Sequence, residues 1–66
     1  MNNIKMLRKK KMSQSDLAHI VGVSQQAVSN WENGTSFPRA DKLLIICQAL
    51  NCTINELFEI EDHAAS

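Results

Sequence analysis

The sequence predicts an all-α domain of five short helices. Three observations carry that reading. Five separate helix-start signals occur along the chain, no segment alternates apolar and polar residues as a strand would, and 66 residues leave room for one domain, residues 1–66. A chain this short buries only about 60% of the surface its unfolded form exposes, so marginal stability is expected.

Each helix has its own punctuation. Asn2 or Asn3 can cap the first, which runs to about Lys10 with Ile4, Leu7 and the stem of Lys11 facing inward. Ser13 caps the second, with Asp16 three residues on as a weaker stand-in for a capping-box glutamate. Leu17, Ala18 and Val21 form its apolar stripe, and Gly22 ends it as a left-handed residue would. Ser24 caps the third helix and Asn33-Gly34 terminates it. Pro38 and Asp41 bracket the start of the fourth, the most apolar, with Leu43, Leu44, Ile46, Cys47 and Leu50. Thr53 and Glu56 make a capping box for the fifth, which carries Ile54, Leu57, Phe58 and Ile60. Residues 62–66 offer nothing to pack and are expected to fray.

Composition removes several functional classes. An apolar content of 44% with 21% charged residues is that of an ordinary folded chain. The longest apolar run, Leu43 to Cys47, is far too short to span a membrane. The N-terminus has bases where a secretory signal needs an apolar core, so a cytoplasmic location is the expectation. Cys47 and Cys52 match neither a C-x-x-C nor a zinc-finger spacing, and His19 and His63 lie far off, so no metal or other cofactor is expected. The two cysteines read as free, mostly buried thiols. No catalytic constellation or glycine-rich phosphate loop is present, so a non-enzyme is expected. The formal net charge is zero, but it is unevenly spread. Lys5, Arg8, Lys9, Lys10 and Lys11 crowd one end, while Glu56, Glu59, Glu61 and Asp62 crowd the other. That asymmetry can give one end affinity for a polyanion.

The second and third helices are separated by a glycine-containing turn too short for an antiparallel hairpin. Such helices commonly cross steeply, in a helix-turn-helix core over about residues 14–33. The third helix then needs an apolar inner face and a free outer one. At about 100° per residue, Gln25, Ser29, Asn33, Gln26 and Asn30 share one arc. Ala27, Trp31 and Val28 occupy the opposite arc. Amides of this kind are good at reading: Gln and Asn can donate and accept together at the adenine edge, and Ser can serve several bases. Trp31 lies on the apolar arc and is expected to anchor the core.

The stretch QSDLAHIVGVSQQAVSNWENG, continuing through TSFPRADKLLIICQALN, resembles the helix-turn-helix domain of the phage-repressor and Cro-like class, the XRE family. The resemblance covers nearly the whole chain and implies a compact five-helix domain of that type. It departs at one point, where RKKKMSQ is one residue shorter than is common between the first-helix arginine and the second-helix glutamine. What it implies is a sequence-specific, double-stranded DNA-binding transcriptional regulator, in first place a repressor. Gln25, Gln26, Ser29 and Asn30 would then read bases in the major groove. Gln14, Asn33, Thr35 and Arg39, with Gly34, would run along the DNA backbone, and Gln14 would also brace Gln25. Lys9, Lys10 and Lys11 can reach phosphate or simply be solvated. Arg8 and Glu32 would form a structural salt bridge and not touch DNA.

Two other readings use the same fold. One is an antitoxin or restriction–modification controller, which also answers to a partner protein. The other is a helical protein-interaction module without DNA binding. No second domain for a metabolite is expected. One recognition helix reads only a few base pairs, so the working unit is expected to be a homodimer on a palindromic operator, with half-sites about 34 Å apart. Leu57, Phe58 and Ile60 are the interface candidates, because the fifth helix carries more apolar surface than its own anchoring needs.

Overall fold

A computed structural model of the chain describes residues 2–58. The described residues are all helical and contain no strand. The five helices are α1 (Ile4–Lys9), α2 (Gln14–Val21), α3 (Gln25–Asn33), α4 (Ala40–Leu50) and α5 (Ile54–Phe58). Helices α2 and α3 make the most extensive contact, α2 also packs on α4, and α5 touches both α1 and α4. No helix among the described residues is long and apolar enough to cross a membrane.

The core forms where one apolar stripe from each helix converges. Ile4, Leu17, Ala18, Val21, Val28, Trp31, Ile46, Leu50 and Leu57 are buried, and Leu7, Met12 and Leu43 pack against them. Ala18 is the small residue that lets α2 and α3 approach. In α4 the inward stripe is Leu43, Ile46 and Leu50, spaced three and four apart. Leu44, one position round the helix from Leu43, faces out at 62% exposure. Ile54 is exposed for the same reason, since Leu57 occupies the inner line of α5. Lys11 is exposed too, and buried Arg8 takes the inner position of α1.

Capping accounts for the starts of α2, α3 and α5. The Ser13 hydroxyl accepts from the Asp16 N–H at 3.0 Å while the Asp16 carboxylate accepts from the Ser13 N–H at 3.3 Å, a complete capping box. The Ser24 hydroxyl accepts from the Ala27 N–H. Thr53 and Glu56 form a second complete box. The first helix starts differently. Asn3 makes no side-chain cap; its backbone and side-chain N–H groups donate to the Leu57 and Glu56 carbonyls of α5. The Asn2 side chain donates to the Trp31 carbonyl and accepts from the Ile4 N–H. These two asparagines tie α1 to the ends of α3 and α5.

Helices α2, α3 and α4 stop in one manner, at a residue with positive φ: Gly22 at 84°, Gly34 at 78° and Asn51 at 52°. After each, a backbone N–H reaches back to the carbonyl five residues earlier. Val23 bonds Ala18, Thr35 bonds Asn30 and Cys52 bonds Cys47. This is the Schellman ending, which satisfies carbonyls the helix would otherwise leave free. The shortened turn after α1 is closed by the Arg8 carbonyl, which accepts from both the Lys11 and Met12 N–H groups at 2.8 Å.

Candidate nucleic-acid interface

Helix α3 is held by one face and free on the other. Val28 is wholly buried and Trp31 nearly so, while Ala27 packs at the margin of the core. The opposite side presents Gln25 and Gln26, both exposed, with Ser29 and Asn30 half-exposed beside them. Gln26 donates through Nε2 to the Asn30 Oδ1 at 3.0 Å, one helical turn away. In the free protein these two amides therefore hold each other. Asn33 and Thr35 are exposed just beyond, in the turn that Gly34 makes possible.

A chain of polar contacts fixes this helix from behind. Arg8 donates from Nε to Glu32 Oε2 at 2.5 Å and from Nη2 to Oε1 at 3.4 Å, and its Nη1 reaches the Met12 carbonyl. The Glu32 side chain is 1% exposed and that of Arg8 is 9% exposed, so both charges are removed from water and neutralise each other. Glu32 Oε1 also accepts from Gln14 Nε2 at 2.8 Å. Gln14 Oε1 in turn accepts from Gln25 Nε2 at 3.3 Å. The first residue of α3 is thus connected, through the first residue of α2, to the carboxylate near the end of α3 and to the guanidinium of α1. No buried side-chain nitrogen or oxygen among the described residues lacks a partner.

Several basic groups are open to solvent. Lys9, Lys10 and Lys11 are exposed at the end of α1. Arg39, immediately before α4, has a side chain 88% exposed and lies 3.9 Å from Asp41, itself 66% exposed. A pair that open to water holds Arg39 only weakly. Its guanidinium is available to an anion.

The residues expected at a subunit interface divide. Leu57 is completely buried within the chain's own core, so it has no side chain to offer a partner, and its assignment to an interface is corrected. Phe58 is half-buried and stacks on Phe37, with ring centroids 5.0 Å apart and planes 20° from parallel. Ile60 lies outside the described residues. Three contacts escaped the sequence reading. Asn2 holds the Trp31 carbonyl, Lys42 donates to the Val21 carbonyl at the end of α2, and Phe37 covers Phe58 while remaining 68% exposed. A base placed to meet a helix C-terminus was the one available signal, for Lys42. The other two depend on segments distant in sequence meeting in space.

Comparison with known proteins finds relatives of this chain. A family model described as helix-turn-helix matches residues 4–57. The chain is 46% identical over 50 residues to the antitoxin PezA of Streptococcus pneumoniae serotype 4, covering 74% of this chain and 32% of that protein. It is 39% identical over 57 residues to repressor protein C2 of Salmonella phage P22, covering 85% of this chain and 26% of the repressor. It is 36% identical over 53 residues to the HTH-type transcriptional activator BcrR of Enterococcus faecalis, covering 80% and 26% respectively. The chain spans between a quarter and a third of the length of these curated relatives.

Proposed function

We propose, since this chain belongs to the helix-turn-helix family, that it is a sequence-specific DNA-binding regulator of transcription, a binding protein that reads the major groove with α3. The observation that carries the reading is the two-sided build of that helix. An exposed face of Gln25, Gln26, Ser29 and Asn30 is backed by a wholly buried Val28 and by the Arg8–Glu32–Gln14–Gln25 chain. Side chains on a rigid helix can hold the geometry that bidentate base recognition needs. With no lysine or arginine in α3, the commonest guanine contact is absent from it, and A·T-containing positions are the natural targets.

The remaining groups fall into a positioning role. Gln14, which is bonded to Gln25, and the exposed Asn33, Thr35 and Arg39 would meet phosphates, which fix register without reading sequence. Repression follows when the occupied operator overlaps a promoter; the similarity to a phage repressor over 85% of this chain supports that sign, and the similarity to an activator over 80% supports the opposite one. The similarity to an antitoxin supports a second reading, in which the same DNA-binding unit also answers to a protein partner. If the gene beside this one arrests growth when expressed alone, the second reading gains. If it does not, the antitoxin reading fails.

The decisive experiment selects bound sequences from a random DNA pool and then compares variants on the winning site. Gln25→Ala, Gln26→Ala and Asn30→Ala should each weaken specific binding by about 1–3 kcal/mol while leaving scrambled DNA unaffected. Arg39→Ala should weaken both, and lower the salt slope by about one unit as one phosphate contact is lost. If all three amide variants bind like the parent, α3 is not the reading element. If no sequence is enriched and no salt-dependent binding occurs, the protein-interaction reading replaces DNA binding altogether.

A further inference from the structure

The three Schellman endings differ in the pair of residues they bring together. In such an ending the side chain after the left-handed residue packs against the one five positions before it. At the end of α2 that pair is Val23 and Ala18, and at the end of α3 it is Thr35 and Asn30. At the end of α4 it is Cys52 and Cys47, joined through their backbones by an N–H to carbonyl bond of 3.0 Å. Both thiols are free and half-buried, and they line one open cavity with Leu44, Gln48 and Thr53. The corner is rigid on both sides. Asn51 fixes the helix end, and the Thr53–Glu56 capping box fixes the next helix start. No cluster of three His, Cys, Asp or Glu side chains exists among the described residues, so the pair has no third ligand to hold a metal.

We propose that Cys47 and Cys52 form an oxidisable dithiol that closes into an intrachain disulfide across the α4–α5 corner. A disulfide needs Cα atoms about 4.4–6.8 Å apart with converging Cβ vectors; the Schellman ending turns the chain back so that the Cys52 N–H meets the Cys47 carbonyl, and both thiols line the same cavity. The oxidant is a low-molecular-weight disulfide such as oxidised glutathione. One protein thiolate attacks it, forms a mixed disulfide and releases one glutathione thiolate. The second protein thiolate then attacks the protein-bound sulfur and expels the second glutathione thiolate. Two protein thiols lose two electrons and two protons, and one glutathione disulfide becomes two thiols. Burial, with Cys47 and Glu56 adding to it, pushes the Cys52 thiol up to about 11. More of the Cys52 thiol ionises as pH rises, so the exchange that joins the two sulfurs accelerates with pH.

The test treats the full chain with oxidised glutathione at pH 7 and pH 9, quenches with acid, and weighs the products without reductant. The expected product is lighter than the reduced chain by two hydrogens, carries no glutathione, and accumulates faster at pH 9. Cys47→Ser and Cys52→Ser should each stop as a single glutathione adduct, because no second thiol can displace it. A parent chain that ends with glutathione attached, forms a covalent dimer, or retains two alkylatable thiols at pH 9 overturns the proposal. The readout counts thiols and does not involve DNA, so it stands or falls apart from the regulatory reading.

Discussion

At the scale of single residues, Glu32 has the most to do. Its carboxylate accepts from Arg8 on one side and from Gln14 on the other, and its side chain is almost wholly out of water. Desolvating two charges costs much of what their attraction returns. Removing one partner has a clear sign. Glu32→Ala leaves the Arg8 guanidinium buried without a counter-charge and frees Gln14 from its acceptor. The expected loss is about 3–5 kcal/mol, which in a domain of this size is most of its stability. A urea titration followed by circular dichroism should show the midpoint collapse, whereas Arg8→Met with Glu32→Leu together should recover much of it. If Glu32→Ala unfolds at the parent midpoint, the pair is structurally idle and Gln25 is held some other way.

At the scale of elements, the helix ends show how local chemistry sets the path of the chain. Gly34 stops α3 at φ 78° and turns the chain toward Arg39. A Cβ added there would meet no atom within 4 Å, so the penalty for alanine is purely conformational. Left-handed backbone costs an L-residue roughly 1–2 kcal/mol, and Gly34→Ala should lower stability by about that much in the same titration. Gly34→Asn should lose less, because asparagine tolerates this region and Asn51 already occupies it at φ 52° just past α4. Equal losses for the two variants would mean that something other than backbone strain sets the cost. The same reasoning explains why α3 keeps its length: extending it past Asn33 would require giving up the Thr35–Asn30 bond.

At the scale of the whole molecule, one recognition helix offers little information, and a symmetric dimer with half-sites about 34 Å apart would double it. With Leu57 committed to the core, the surface left for a partner centres on Phe58 and the Phe37 ring stacked on it. Phe37 lies only four residues beyond α3, so a dimer contact there would also set the separation of the two reading helices. Sedimentation at tens of micromolar should show a dimer for the parent chain. Phe58→Ala or Phe37→Asp should shift it to monomer and reduce operator affinity while leaving the helical content intact. A parent chain that sediments as a monomer and selects an operator without inverted repeats would defeat this assembly.

Much of the architecture was already written in the chain. The capping residues Ser13, Ser24 and Thr53, the terminators Gly22 and Gly34, and the opposed arcs of α3 are all local, because each depends on φ, ψ and neighbours within about five positions. Local signals of that kind give helix number, helix ends and which side of α3 faces in. The pairing of Arg8 with Glu32 came from family resemblance rather than from spacing, since 24 positions separate them. What the tertiary structure alone decided involves distance along the chain. Asn2 meeting Trp31, Asn3 meeting α5 and Phe37 meeting Phe58 have no periodicity to announce them. The outward turn of Leu44 and the complete burial of Leu57 were likewise settled by which helix packed against which face. Composition states that a side chain is apolar; only packing determines whether the chain buries it or leaves it for a partner.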